Sequence, residues 1–173
     1  EREGQARGQG HPGHGPAEGP HPERALTGMA ALKVMFLCTG NSCRSQMAEG
    51  FARELGSGLV KPHSAGLIAA GVHPRAAAVM KELGIDISKQ KSSEIDEALL
   101  RKMDIVITLC TNAEEECPWT PPVIQRLHWP IKDPVGTTGT EEQIMREFRR
   151  ARDEIREKII EFLDNLSRTH GAP

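Results

Sequence analysis

The sequence contains no tyrosine, and phenylalanine and tryptophan together supply 3% of it. That is too few aromatic side chains to stack the bases of a nucleic acid. An excess of one charge is also missing, since 22 Lys and Arg stand against 24 Asp and Glu, for a net charge of −2. The basic residues are scattered, apart from Arg149, Arg150 and Arg152, whose helix also carries acids. No basic patch marks a nucleic-acid partner. No apolar run approaches the length of a membrane span, so no membrane partner is expected. The N-terminal stretch lacks the apolar core of a signal peptide. Four cysteines without a secretory signal suggest a reducing, cytoplasmic location. There, cysteines are more often catalytic or metal-binding than structural staples.

Residues 1–28 hold Gly, Pro, His and charge, with no Val, Ile or Phe. Such a stretch buries too little surface to offset its ordering entropy, so a disordered tail is expected. His11, His14 and His21 would bind a metal weakly at most. Met29, just ahead of the first apolar run, is the expected natural start of the domain, which intact mass of the native protein would test. The domain is expected over residues 29–168, with a C-terminal tail at 169–173. This leaves about 140 foldable residues, enough for one domain with a real core.

Val34, Met35, Phe36 and Leu37 form a short apolar run that stops at Cys38. Five small or polar residues follow, then Arg44 and Ser45. Met47, Ala48, Phe51 and Leu55 then recur at helical spacing. The pattern reads as buried strand, tight loop, helix over about 45–55. Further on, residues 59–63 form a strand that Pro62 assigns to a sheet edge. Pro74 opens a helix that reaches Gly84. A looser helix is expected over about 93–102, and residues 105–109 form a central parallel strand, apolar on both faces. A polar, acidic stretch with little to anchor it runs from Cys110 to Cys117. Residues 123–127 form the last strand. Thr140 and Gln143 make a capping box for a final helix over about 141–166. Strands alternating with helices predict a three-layer α/β/α fold with a four-stranded parallel sheet and a phosphate-binding type of loop (P-loop) after the first strand.

In such folds, ligands bind beyond the carboxyl ends of the strands. Cys38, Cys110 and Asp133 all fall near such ends. Cys38 and Arg44 have the spacing Cys-x5-Arg, about enough chain to wrap one tetrahedral oxyanion with backbone donors. The loop Thr39, Gly40, Asn41, Ser42, Cys43 and Arg44 is the expected oxyanion cradle. It lies at the positive end of a helix dipole, which also favours a Cys38 thiolate. Arg44 adds a planar fork of donors. Ser45 is placed to donate its hydroxyl to the Cys38 sulfur, or simply to cap the helix. Asn41 is expected to tie the loop, and Cys43 to be a packed thiol. Asp133, ahead of a proline, is a candidate general acid for a leaving oxygen. Cys110 and Cys117 lack the ligand spacing of a zinc site. If the segment between them moves, Cys38, Cys110 and Cys117 can hand a disulfide outward as a three-thiol relay.

The run from Leu37 to Gly50, Leu-Cys-Thr-Gly-Asn-Ser-Cys-Arg-Ser-Gln-Met-Ala-Glu-Gly, resembles the signature of thioredoxin-coupled arsenate reductases. These share their fold with low-molecular-weight protein tyrosine phosphatases. The resemblance spans about residues 32–165, and includes Ser64-Ala65-Gly66, Cys117-Pro118, His128-Trp129 and Asp133-Pro134. It implies that Cys38 attacks arsenate held by the loop and Arg44, while Asp133 protonates the departing oxygen. It further implies a transient Cys38–Cys110 disulfide, then a Cys110–Cys117 disulfide in the oxidised form that thioredoxin reduces. Both electrons come from thiols, so no tightly bound cofactor is implied. A monomer is expected. Some members hold potassium with oxygens matching Asn41, Glu49 and Ser64 plus an aspartate. Here Ser93 stands at that aspartate's position, so weak or no potassium dependence is expected.

Three rival readings use the same loop. A low-molecular-weight phosphatase acting on phosphate monoesters would have no use for Cys110 and Cys117. On phosphotyrosine it would also be expected to carry aromatic residues beside the site, which are scarce here. A reductase that passes arsenic to a small thiol, such as glutathione or mycothiol, would also dispense with that pair. A non-catalytic oxyanion sensor would lack the nucleophile, the arginine or the acid, and all three are present.

Overall fold

The structure is a computed structural model and describes residues 30–170. The expected tail at 1–28, with its three histidines and Met29, lies outside the described residues, as do residues 171–173. Four parallel strands form the sheet, in the order β2-β1-β3-β4. They are β1 (Leu32–Cys38), β2 (Val60–Gly66), β3 (Ile105–Thr108) and β4 (Gln125–His128). Parallel strands need crossovers, and helices supply them: α1 (Arg44–Leu55), α2 (Pro74–Lys81), α3 (Glu97–Leu100) and α4 (Thr111–Glu116), with α5 (Glu141–His170) closing the chain.

Val34, Met35, Phe36 and Leu37 are all buried, as are the four residues of β3. Burial of successive residues, which point to opposite faces, means that both faces of the sheet are covered. This is the expected α/β/α layering. β2 lies at an edge, where Pro62 costs no ladder bond. The other edge, β4, is exposed or half-buried throughout.

The helices start where the chain supplies caps. The His73 ring accepts from the N–H of Arg75, and Pro74 opens α2. The capping box before α5 closes both ways, with Thr140 N–H donating to Gln143 Oε1 at 2.8 Å and Gln143 N–H to Thr140 Oγ1 at 3.2 Å. The α5 stripe of Phe148, Ala151, Ile155, Ile159, Phe162 and Leu166 is buried as its spacing requires. The helix runs to His170, beyond the end near 166 that its pattern predicts. The arginine group on α5 is taken up by ion pairs: Arg149 and Arg152 bond Glu82, while Arg150 bonds Glu147 and Glu154. No helix among the described residues is long and apolar enough to cross a membrane.

Two segments differ from the sequence expectation. Residues 93–96 are not helical: Gly66 bridges to Glu94 as a short extension of the sheet, and Asp96 caps α3, which has four residues. Ladder bonding to the end of β2 wins there over a weak helical period. The stretch after Cys110, read as loose, folds as α4. Cys110 caps it, and Ala113 is its one fully buried residue.

The register positions the site. Leu37 pairs with Thr108, and Thr108 with His128, so the carboxyl ends of β1, β3 and β4 form one rim. The chain leaves β1 for β2 on one side and returns to β3 on the other. The crevice between β1 and β3 is therefore a topological switch point.

Candidate active site

Cys38 ends β1 and is 2% exposed. The loop beyond it is fastened from outside through its carbonyls. Thr39 O accepts from Ile68 N, Gly40 O from Ala70 N, and Ser42 O from His73 N, at 2.9–3.0 Å. Asn41 O accepts from Ser92 Oγ and from Gln46 Nε2. In a trans peptide the N–H points opposite to the C=O. With four successive carbonyls turned outward, the N–H groups of Gly40, Asn41, Ser42 and Cys43 face the other way. Among the described residues none of these four makes a hydrogen bond. Converging, unpartnered N–H groups at a helix N-terminus are a ready anion site.

Asn41 sets the polarity of everything around it. It is fully buried with φ of 44°, a left-handed conformation that asparagine tolerates better than most residues. Its Oδ1 accepts from the backbone N–H of Ser93 at 2.8 Å, which can only donate. Its Nδ2 must therefore face Ser45 and Ser64, at 2.9 Å each. Both serine oxygens accept from it, and each hydroxyl is left to donate elsewhere. The Ser45 hydroxyl donates to Cys38 Sγ at 2.8 Å, and that of Ser64 to the Glu49 carboxylate. Burial raises the pKa of Glu49, and the Ser64 bond and Arg53 oppose that rise. Burial likewise pushes the Cys43 thiol far above the usual range, with Asp133 and Cys38 adding to it, which leaves Cys43 protonated and inert.

Arg44 is 6% exposed and reaches across to the loop after β4. Its Nη1 donates to Ile131 O at 2.9 Å, and its Nη2 to Asp133 Oδ2 at 3.0 Å. The Asp133 side chain is about half exposed, and its Oδ1 accepts from Val135 N. Cys110 Sγ lies 3.4 Å from Thr39 Oγ1 and accepts from Ala113 N at 3.4 Å. A cavity of about 390 Å³ is lined by Thr39, Arg44, Cys110 and Asp133, among others. Cys38 and Cys117 are not part of its lining. Cys117 caps the far end of α4 and is half-buried. Burial raises its pKa, Arg126 opposes this, and Glu114 adds to it. All four cysteines are free thiols.

This strand–loop–helix, with its anion cradle, has known counterparts. Residues 33–171 match the family described as low molecular weight phosphotyrosine protein phosphatase. The chain belongs to this family. Within the family it stands with the arsenate reductases. The arsenate reductase of Bacillus subtilis (strain 168) is 50% identical over 131 residues, which cover 76% of this chain and 94% of that protein. A solved arsenate reductase in the phosphate binding state is 39% identical, with a TM-score of 0.65 over 79% of this chain and 99% of the other. The tyrosine phosphatase amsI of Erwinia amylovora, at 19% identity and a TM-score of 0.68 over 82% of this chain and 97% of that one, shares the fold alone.

The structure brings Cys38, Cys110 and Asp133 to one rim, the placement expected from the strand ends. Three participants were not foreseen in their roles. Thr39 is the direct link between cradle and second thiol. Gln46, fully buried, bonds Asn41 at two atoms and Lys91 O. A glutamine at a position where α1 packs inward was the available signal. Gly66 is the third: a Cβ there would lie 2.6 Å from Asn41 N and 2.8 Å from the carbonyls of Thr39 and Ile68.

Proposed function

We propose that the protein reduces arsenate to arsenite by a three-cysteine relay, with electrons from thioredoxin. Arsenate occupies the cradle, held by the loop N–H groups and Arg44, and competes with Asp133 for Nη2. The Cys38 thiolate attacks arsenic. Asp133 gives its proton to the departing oxygen, which leaves as water. Cys110 attacks the Cys38 sulfur, the S–As bond breaks with its electron pair going to arsenic, and arsenite leaves a Cys38–Cys110 disulfide. Cys117 attacks Cys110 and frees Cys38 as thiolate. Thioredoxin then reduces Cys110–Cys117.

The observation that carries this reading is the Thr39–Cys110 contact. It seats a second thiol against the first residue of the cradle, in the cavity that Arg44 and Asp133 also line, where hydrolysis of a phosphate ester has no use for one. Backbone donation from Ala113 holds the sulfur in that place. Trp119, two residues after Cys117 and well exposed, offers apolar surface to a protein reductant. The same reading places the enzyme in the reducing cytoplasm as a monomer with no tightly bound cofactor.

The test is a panel of Cys38→Ser, Cys110→Ser and Cys117→Ser proteins given arsenate and a thioredoxin recycling system. None should turn over, and Cys117→Ser should release one equivalent of arsenite and stop at Cys38–Cys110. Multiple turnover by Cys110→Ser or Cys117→Ser would sink the relay. Steady hydrolysis of aryl phosphate by the same proteins, without arsenite, would favour the phosphatase.

Potassium dependence is proposed to be weak or nil. Asn41 turns a donor, Nδ2, toward Ser64, whose hydroxyl is bonded to Glu49. That directed network occupies the oxygens a cation would need. Strong stimulation of turnover by potassium over sodium would refute this.

A further inference from the structure

The relay proposed above requires Cys110 and Cys117 to bond, yet α4 holds them apart. They flank a helical turn and a half, which sets their Cα atoms about 10 Å apart. A disulfide needs about 4.4–6.8 Å. The helix must therefore open before the second disulfide forms, and what fastens α4 to the sheet controls that step.

Few side chains do so. Ala113 is buried, while Thr111, Asn112, Glu115 and Glu116 are exposed. Glu114 reaches back to both neighbouring strands. Its Oε2 accepts from the Thr108 hydroxyl at 2.5 Å and lies 3.5 Å from Arg126 Nη2 and 4.0 Å from His128 Nδ1. Thr108 is 1% exposed and ends β3. Its single proton goes to the carboxylate, so its oxygen is free to accept from His128 Nδ1 at 2.8 Å. One carboxylate thus joins α4 to β3 through Thr108 and to β4 through Arg126 and His128.

We propose that Glu114 is a positioning residue of the relay: a latch that holds α4 wound in the dithiol protein and is released when Cys110 and Cys117 pair. The latch stabilises the dithiol relative to the disulfide. It therefore keeps the pair easy to reduce and returns Cys110 to the cavity wall after each cycle. Arg126 serves both ends, since it faces the Glu114 carboxylate and the Cys117 sulfur.

The test is the equilibrium between dithiol and Cys110–Cys117 disulfide in glutathione buffers. It uses the full chain carrying Cys38→Ser, with the bond quantified by peptide mapping. In this exchange glutathione disulfide takes two electrons and two protons from the thiols and becomes two glutathione molecules. Adding Glu114→Ala should move the exchange constant about tenfold toward the disulfide, a potential about 30 mV more negative. Glu114→Gln should move it less, because its amide oxygen still accepts from Thr108. Glu115→Ala, on the exposed side of the same helix, should stay within about twofold, so a mere loss of helix stability is told apart. If Glu114→Ala does not fold, Thr108→Val carries the test with the same expected direction. An unchanged constant, a shift toward the dithiol, or an equal shift in Glu115→Ala overturns the latch. Arsenate takes no part in this equilibrium. Failure of the latch therefore leaves the cysteine panel free to succeed, and failure of the panel leaves the shift measurable.

Discussion

The cradle and the redox segment lie against each other at Thr39 and Cys110, but they are built on opposite plans. Residues 38–46 are buried or half-buried throughout, and their carbonyls are tied to segments 66–73 and 90–93. Residues 111–116, between the two cysteines, hang on one buried alanine and one carboxylate. The first plan suits a site that must present several donors to one oxyanion without rearranging. The second suits a segment that must change shape within each cycle. Rigidity and looseness are placed side by side, and the contact between them is a hydroxyl against a sulfur.

The largest expected effect tests the rigid side. Asn41→Ala removes two donors and two acceptor contacts from a fully buried position. It should cost about 3 kcal/mol of stability in denaturant unfolding, since several buried partners lose their bonds at once. A loss under about 1 kcal/mol would mean that the cradle is not preorganised by this residue. The next test compares the regions directly. Backbone amides of α4 should exchange with solvent hydrogen about 100-fold faster than those of α1 between Met47 and Ala52, because α4 opens locally. Equal protection would break the comparison.

The smallest effect is a pH dependence confined to the rigid side. The pKa of Glu49 is raised by burial above its ordinary 4.5. A carboxyl raised on folding contributes stability that is complete below its unfolded value and is lost as pH rises through the folded one. The urea midpoint of the unaltered chain should therefore carry a decline from pH 4.5 towards neutrality. Glu49→Gln should flatten it. The same decline in both proteins would mean that another group is responsible.

Much of the fold was legible because its signals are local. A four-residue apolar run, a proline at a helix start and a capping box each act within a few positions, and β1, α2 and α5 formed as those signals predict. The signals failed where tertiary bonding outweighed them. Residues 93–96 carried a weak helical spacing, but Gly66 offered them a ladder. Residues 111–116 carried no apolar period at all, and became a helix because Cys110 caps them and Ala113 and Glu114 dock on the sheet. In the site, residue types were readable and partners were not. Asp133 was read as an acid, but nothing local could show that Arg44 would bind it.

The sequence by itself determined the chemistry available: an oxyanion-sized loop from Cys38 to Arg44, and two further thiols at Cys110 and Cys117. Those follow from spacing and side-chain type, which need no third dimension. Only the tertiary structure decided how the parts are oriented. The Ser93 N–H fixes the Asn41 amide, the amide sends the Ser45 hydroxyl to Cys38, and the switch point between β1 and β3 carries Cys110 to Thr39. Hydrogen bonds are directional and join residues up to 89 positions apart. Their direction is a property of the assembled sheet, which no local stretch of the chain contains.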